Sequence, residues 1–221
     1  MNEILGKLFE AIEFGKADKT SPYPPALKGL DGAKEYTISA LDAGITPKEI
    51  LEEALIPAMG CVGKKFSENK IFVPQMLMSA KAMSASMIQL KPFFASGELK
   101  TKGTFIIGTV KGDLHDIGKN LVSMIVEGGG WTLVDLGVDV SSDRFIDAIR
   151  KNPGAIVGLS ALLTTTMGSM AEIVARIKSE LPDTKVLVGG APVNMDFCQT
   201  IGADYYAPNP QLAVDYLNSV A

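Results

Sequence analysis

The spacing of apolar residues changes once along this chain, near Gly97, and that change restricts the folds open to it. Up to about residue 92 the apolar positions recur every three or four residues, the period of a helix with one buried face. In "TPKEILEEALIPAMGCVGKKF" (46–66), Thr46 is placed as an N-cap, Pro47 takes the first helical position and Glu49 closes a capping box. Ile50, Leu51, Ala54, Leu55, Ala58, Met59 and Val62 then form one apolar face. Pro57 is expected to kink this helix or divide it. A further helix over roughly 74–94 carries Met76, Met83 and Met87. With the stretches near 2–15 and 28–43, the pattern predicts a four-helix bundle over residues 1–92.

Beyond a polar, glycine-ended linker (93–103) the runs become short and β-branched. "GTFIIGTV" (103–110), "WTLVDLG" (131–137), "AIVGLS" (155–160), "KVLVGG" (185–190) and "ADYYA" (203–207) read as five strands. About five helical segments alternate with them, one after Ser141–Ser142 and another from about Gly168. The expected fold class is therefore α/β: an N-terminal four-helix bundle, then a Rossmann-like (flavodoxin-like) five-stranded parallel sheet over 104–221. A chain of 221 residues can bury a core in each half.

The 21 basic and 25 acidic residues leave a net charge of −4, with no basic run, which weighs against nucleic acid or an anionic membrane as partner. No apolar stretch approaches the length of a membrane span, and the N-terminus lacks the pattern of a secretory signal. Cys61 and Cys198 suit free thiols in a reducing compartment, so the expected location is the cytoplasm.

Ligands of an open α/β sheet sit beyond the carboxyl ends of its strands. Three segments at such ends are rich in glycine and hydroxyl residues: Gly108–Gly118, Ser160–Thr166 and Gly189–Gly190. The first, "GTVKGDLHDIGKNLV" (108–122), holds the chain's one histidine, His115, between Asp113 and Asp116. Its glycines do not have the spacing of a dinucleotide or phosphate loop. Ser160 lacks a nucleophile-elbow context, and no set of three or four ligands at short spacing suits zinc. Two readings of His115 remain open on the residues: a loop histidine capping the following helix, or the single axial ligand of a metal held by a macrocycle. In the second, Asp113 would accept the proton of one ring nitrogen and leave the other for the metal. Gly112 and Gly118 would then let a planar ligand approach the backbone.

"DLHDIG" resembles the cobalamin-binding motif Asp-x-His-x-x-Gly. Two further elements of that family follow in order: Ser-x-Leu as "SAL" (160–162), after 41 intervening residues, and Gly-Gly at 189–190, after 26 more. "GKKFSENKIFVPQMLMSAKAM" (63–83) is similar to the bundle that covers the upper corrin face in methionine synthase and in small corrinoid proteins of methyltransferase systems.

The resemblance implies that His115 is the lower axial ligand of cobalt, with Asp113 on its other nitrogen and Thr166 completing a His–Asp–hydroxyl relay. In the relay of methionine synthase the hydroxyl is a serine, whereas position 166 here is threonine. Gly112, Asp116, Ile117 and Gly118 would complete the cofactor-facing loop. Ser160, Leu162, Thr164, Gly189 and Gly190 would border the nucleotide tail. Phe72, Met76 and Met83 would pack over the upper corrin face, although methionines at helical spacing also suit plain bundle core. The cofactor implied is cobalamin or a related corrinoid.

The activity implied is that of a methyl carrier, one component of a multi-protein methyltransferase system. It would be loaded by a substrate-specific methyltransferase and unloaded by a second that methylates tetrahydrofolate or coenzyme M. A reductive activase would be a third partner. A radical mutase subunit, a cobalamin-dependent sensor and a flavodoxin-like protein without corrinoid are the alternatives. The mutase subunit has no need of residues 1–92, and a sensor needs an effector domain.

Overall fold

The computed structural model describes residues 2–97 and 99–221. The chain divides into two compact units, residues 1–100 with 128–130, and residues 101–127 with 131–221.

The first unit is helical. Asn2 caps α1 (Glu3–Glu13), its Oδ1 accepting the Ile4 N–H at 2.9 Å. A 3₁₀ turn (Pro25–Leu27) leads to α2 (Ala33–Asp42). The capping box read at Thr46 is present: Glu49 Oε2 accepts the Thr46 N–H at 2.9 Å, and Thr46 Oγ1 accepts the Glu49 N–H at 3.2 Å. It starts α3 (Pro47–Glu49), which runs on without interruption through a π-helical segment (Ile50–Leu55) into α4 (Ile56–Ser67). Pro57 therefore does not divide the helix. Just before it, the Ile56 N–H bonds the Leu51 carbonyl five residues back, and this wider turn takes up the misfit of a residue with no N–H.

The long α5 (Val73–Ala95) closes the bundle. α1 packs on α2, α4 and α5, and α5 also packs on α2 and α4. Leu5, Leu8, Ile12, Ile50, Leu55 and Met59 are buried, each worth about 1.5–3 kcal/mol when removed from water.

The second unit is a five-stranded, all-parallel sheet in the order β2-β1-β3-β4-β5, the flavodoxin order. Its strands are β1 (Thr104–Thr109), β2 (Thr132–Asp135), β3 (Ile156–Ser160), β4 (Val186–Gly189) and β5 (Tyr205–Tyr206). Its helices are α6 (Ile117–Gly128), α7 (Ser142–Lys151), α8 (Met167–Glu180), α9 (Met195–Thr200) and α10 (Pro210–Val220).

Strand residues alternate between two buried faces, as a parallel sheet covered on both sides requires. Ile106, Val157 and Val188 pack in one cluster with Phe145 and Ile149 of α7 and with Met170, Ile173 and Ile177 of α8. Leu187 packs in another with Val122 of α6 and Ala213 of α10, beside the stacked rings of Tyr205 and Tyr216. The switch point of this order falls between β1 and β3, the first two strands of the core to be joined out of sequence.

Candidate functional site

Register alone brings three of the sequence motifs to one edge. Thr109 pairs with Ser160, and Ser160 pairs with Gly189, so β1, β3 and β4 end side by side. Two backbone bonds extend this alignment into the loops, Val110 N–H to Ser160 O at 3.0 Å and Ala161 N–H to Gly189 O at 3.2 Å. The segments 110–118, 161–166 and 190–194 therefore leave the sheet as neighbours.

Asp113 is the hub of this edge, and it is fully buried. Its Oδ1 accepts the backbone N–H of His115 at 3.0 Å and lies 2.8 Å from His115 Nδ1. Its Oδ2 accepts the N–H groups of Leu162 at 2.7 Å and Leu163 at 3.2 Å. The Thr166 hydroxyl lies 2.9 Å from the same oxygen. Burial by itself would raise the Asp113 pKa, but the bonds from Leu162, His115 and Thr166 outweigh it and hold the carboxyl well below the usual carboxylate range. An ionised carboxylate only accepts hydrogen bonds, so the proton shared with His115 belongs on Nδ1. Nε2 makes no hydrogen bond among the described residues, and the His115 side chain is half exposed. The loop thus presents one imidazole lone pair outward from a fixed ring.

Gly112 has φ +85°, the left-handed turn that aims Asp113 back beneath the loop. Thr109 Oγ1 donates to the His115 carbonyl at 2.9 Å. Asp116 is exposed at the start of α6, where its Oδ2 accepts from Asn120 Nδ2 at 3.0 Å. Gly118 is open: a Cβ there would meet nothing within 4 Å. Ser160 ends β3 half-buried, and Thr164 is exposed in the 3₁₀ turn Thr164–Thr166. At Gly190, with φ +127°, a Cβ would lie 1.8 Å from the Ala161 carbonyl oxygen. That glycine is required by the close approach of the two loop backbones.

The structure thus gathers Gly112, Asp113, His115, Asp116, Ile117, Gly118, Ser160, Leu162, Thr164, Thr166, Gly189 and Gly190 at the carboxyl edge of one sheet. Phe72 and Met76 belong to the helical unit instead: Phe72 is exposed just ahead of α5, and Met76 and Met83 are buried. Cys61 is half-buried against Glu13 Oε1 at 3.1 Å, and Cys198 is buried. Burial pushes both thiols up, away from the reactive thiolate form.

Sequence reasoning missed two contributors. One is the apolar surface that joins the expected Ile117: Leu114 and Ile117 are more than 70% exposed on either side of His115, and Leu163 after β3 and Met195 at the start of α9 are exposed as well. An exposed apolar cluster around a polar centre signals a ligand surface, but a sequence does not show exposure. The other is Asp139, whose Oδ1 accepts the Gly112 N–H at 2.8 Å. Its one trace in the sequence is a residue type that tolerates φ > 0, set in the glycine-containing run "LGVDV".

Among the described residues, no group of three or more His, Cys, Asp or Glu side chains could hold a metal ion. His115 is a single donor with exposed apolar residues, Leu114 and Ile117, on either side of it in the loop. That donor set suits a metal that arrives with its equatorial ligands already in place.

Two family models described as a B12 binding domain match the chain, one over residues 103–214 and the other over residues 30–91. The trimethylamine corrinoid protein of Methanosarcina barkeri is 37% identical over 186 residues, which cover 82% of this chain and 86% of that protein. The crystal structure of the methanol:cobalamin methyltransferase complex from Methanosarcina barkeri matches with a TM-score of 0.83 and 30% identity, over 99% of this chain and 80% of that one. A cobalamin-binding protein from Desulfitobacterium hafniense matches with a TM-score of 0.76 and 29% identity, over 98% of each chain.

Proposed function

Since this chain belongs to the B12-binding corrinoid proteins of methyltransferase systems, we propose that it carries methyl groups on a corrinoid held from below by His115 Nε2. The observation that carries the residue assignment is the His115–Asp113 pair, 2.8 Å apart, which leaves Nε2 without a hydrogen bond on a half-exposed side chain beside exposed Leu114 and Ile117.

The site fits a corrin. Its exposed Leu114, Ile117, Leu162 and Leu163 offer apolar surface to a flat macrocycle, and Gly118 leaves space where a side chain would intrude. When bound, the cobalt supplies a strong nucleophile that takes a methyl group from one substrate and yields it to another.

The protein's own contribution is electrostatic and geometric. The ionised Asp113 keeps a proton on Nδ1, which leaves the Nε2 lone pair for the metal and makes the imidazole a better donor. Leu162 and Leu163 N–H and the Thr166 hydroxyl hold the other oxygen of the carboxylate, so its angle to the ring is set by the loop after β3 as well as by the histidine loop. Ser160, Thr164, Gly189 and Gly190 border the route beside the sheet that the nucleotide tail would take. Phe72 and Met76 are assigned to the upper corrin face on family likeness, with Met76 buried and Phe72 exposed.

The chain works with a methyltransferase partner. Donor recognition is assigned to that partner, which suits relatives named for both methanol and methylamine systems. The methyl acceptor is assigned as tetrahydrofolate or coenzyme M, reached through a second methyltransferase, with a reductive activase as a third partner. The cytoplasm is assigned as its compartment, because reducing conditions preserve the two free thiols. Among the described residues, no helix is long and apolar enough to cross a membrane.

The test is reconstitution of purified protein with hydroxocobalamin. We expect about one cobalt per chain and an absorption spectrum with imidazole ligation. His115→Ala should still bind some corrinoid but lose that signature. An unchanged spectrum in His115→Ala removes the residue from its assigned role.

A further inference from the structure

Asp139 lies in the loop between β2 and α7, outside every motif that points to the cofactor. Its φ of +53° is left-handed, a conformation that aspartate and asparagine tolerate better than most side chains. In that conformation it holds three consecutive residues of the histidine loop. Its Oδ1 accepts the Gly112 N–H at 2.8 Å, and its own N–H donates to the Asp113 carbonyl at 3.0 Å. Lys111 Nζ sits 3.2 Å from Oδ1 and 3.3 Å from Oδ2.

The end of β2, just ahead of this loop, also holds α6 at a point four residues past His115. Asp135, at the end of β2, takes the buried Lys119 ammonium at 2.5 Å on Oδ2, while its Oδ1 accepts the Gly137 N–H at 2.8 Å. Two backbone bonds root the loop on β1: Thr109 N–H to Gly137 O and Val140 N–H to Thr109 O, both 2.9 Å. The segment that carries His115 is therefore tied at both ends, residues 111–113 to Asp139 and Lys119 to Asp135.

The geometry points to Asp139 as a positioning residue that fixes the tautomer and direction of the His115 imidazole by holding the backbone of Gly112 and Asp113. The inference rests on the axial-ligand reading of His115 for its functional meaning. Gly112 is exposed and its N–H goes to Asp139, while the Asp113 N–H on its other side is held separately by the Val110 carbonyl at 3.1 Å. A hydrogen bond weakens steeply once it bends, so rotation at Gly112 would swing Oδ1 of Asp113 away from the ring while Oδ2 stayed tied to β3.

Because His115 is the chain's one histidine, its ring nitrogens can be read without ambiguity in corrinoid-free protein labelled with ¹⁵N-histidine. In alkaline buffer the wild type should carry its ring proton on Nδ1. Asp139→Asn keeps an acceptor oxygen and tolerates the backbone angle, so it should match the wild type. Asp139→Gly keeps the backbone angle but loses the acceptor, and its Nε2–H fraction should rise by roughly threefold or more. A folded Asp139→Gly protein with the wild-type tautomer ratio overturns the inference.

A second measurement needs no variant. The Gly112 amide should exchange with solvent roughly tenfold or more slowly than an unbonded loop amide. Exchange at the unbonded rate also overturns it. Neither measurement uses the corrinoid, so failure here is separate from failure of the axial-ligand reading. In cobalamin-loaded protein, Asp139→Gly should move toward the His115→Ala spectrum and Asp139→Asn should not. The reverse order counts against Asp139.

Discussion

His115 Nδ1 sits 2.8 Å from Asp113 Oδ1, and the His115 backbone N–H reaches the same oxygen at 3.0 Å. The ring and its own main chain are thus fastened to one atom, while the other oxygen of that carboxylate is bound to the loop after β3. Asp113→Asn breaks this arrangement, because an amide must turn its NH₂ toward one set of donors. It should lower folding stability by about 1–3 kcal/mol, read by urea titration, and reduce imidazole ligation in the cobalamin spectrum. A wild-type midpoint together with a wild-type spectrum would contradict the account.

Thr166 reaches Asp113 through its hydroxyl, at 2.9 Å. Thr166→Ser keeps that oxygen and should retain ligation. Thr166→Val removes it and should cost about 1 kcal/mol, with a parallel drop in ligated imidazole. Loss of ligation in Thr166→Ser with ligation kept in Thr166→Val would mean that the methyl group, not the hydroxyl, matters at this position.

Two glycines should separate by assay. Gly190→Ala drives a Cβ against the Ala161 carbonyl at a backbone angle that L-residues avoid, and should destabilise the corrinoid-free protein by about 2 kcal/mol or more. Gly118→Ala meets no atom and should leave that stability unchanged or raise it by up to about 1 kcal/mol. A bulkier Gly118→Leu should weaken cobalamin uptake with little effect on the melt. Comparable melting losses at both positions would refute the distinction.

The exposed apolar residues beside His115 give a complementary test. Leu114 and Ile117 are mostly exposed, so Leu114→Asp and Ile117→Asp should change stability by only about 0.5 kcal/mol. Each should lower corrinoid affinity, measured by equilibrium dialysis with hydroxocobalamin. Undiminished affinity in both would remove these residues from the binding surface.

Acid should expose the Asp204 pair. Burial by itself raises this carboxyl, but Lys178 Nζ at 2.5 Å and the Val186 N–H at 2.7 Å outweigh it and hold the group below the usual range. The folded protein therefore binds this proton less readily than the unfolded chain does. Its stabilising contribution is full above the unfolded value of about 3.9 and is lost as pH falls through the lower folded value. From about pH 5 downward, the wild type should lose stability more steeply than Asp204→Asn in denaturant titrations.

The helical half and the five strands were legible because burial on one helix face or on both sheet faces leaves a period in the sequence. The Thr46–Glu49 cap was legible for a similar reason, since both partners lie within one turn. The break expected at Pro57 does not occur, because the π-helical turn before it accommodates a residue that has no N–H, and a local sequence pattern does not show whether such a turn will form. Asp139 was invisible because its partners Lys111, Gly112 and Asp113 lie on another loop, brought near by the pairing of β1 with β2.

The residues themselves determined the elements, their order and a short motif in which Asp113 can reach His115 two positions away. Tertiary structure decided what lies behind that aspartate. Thr109 pairs with Ser160 across β1 and β3, and that register brings Leu162, Leu163 and Thr166 to a carboxylate about fifty positions earlier in the chain. A slip of one residue along β3 would turn its side chains to the opposite face of the sheet and carry those donors away. Local sequence can place a histidine beside an aspartate, but only the folded register can occupy that aspartate's other oxygen and so fix which ring nitrogen is left free.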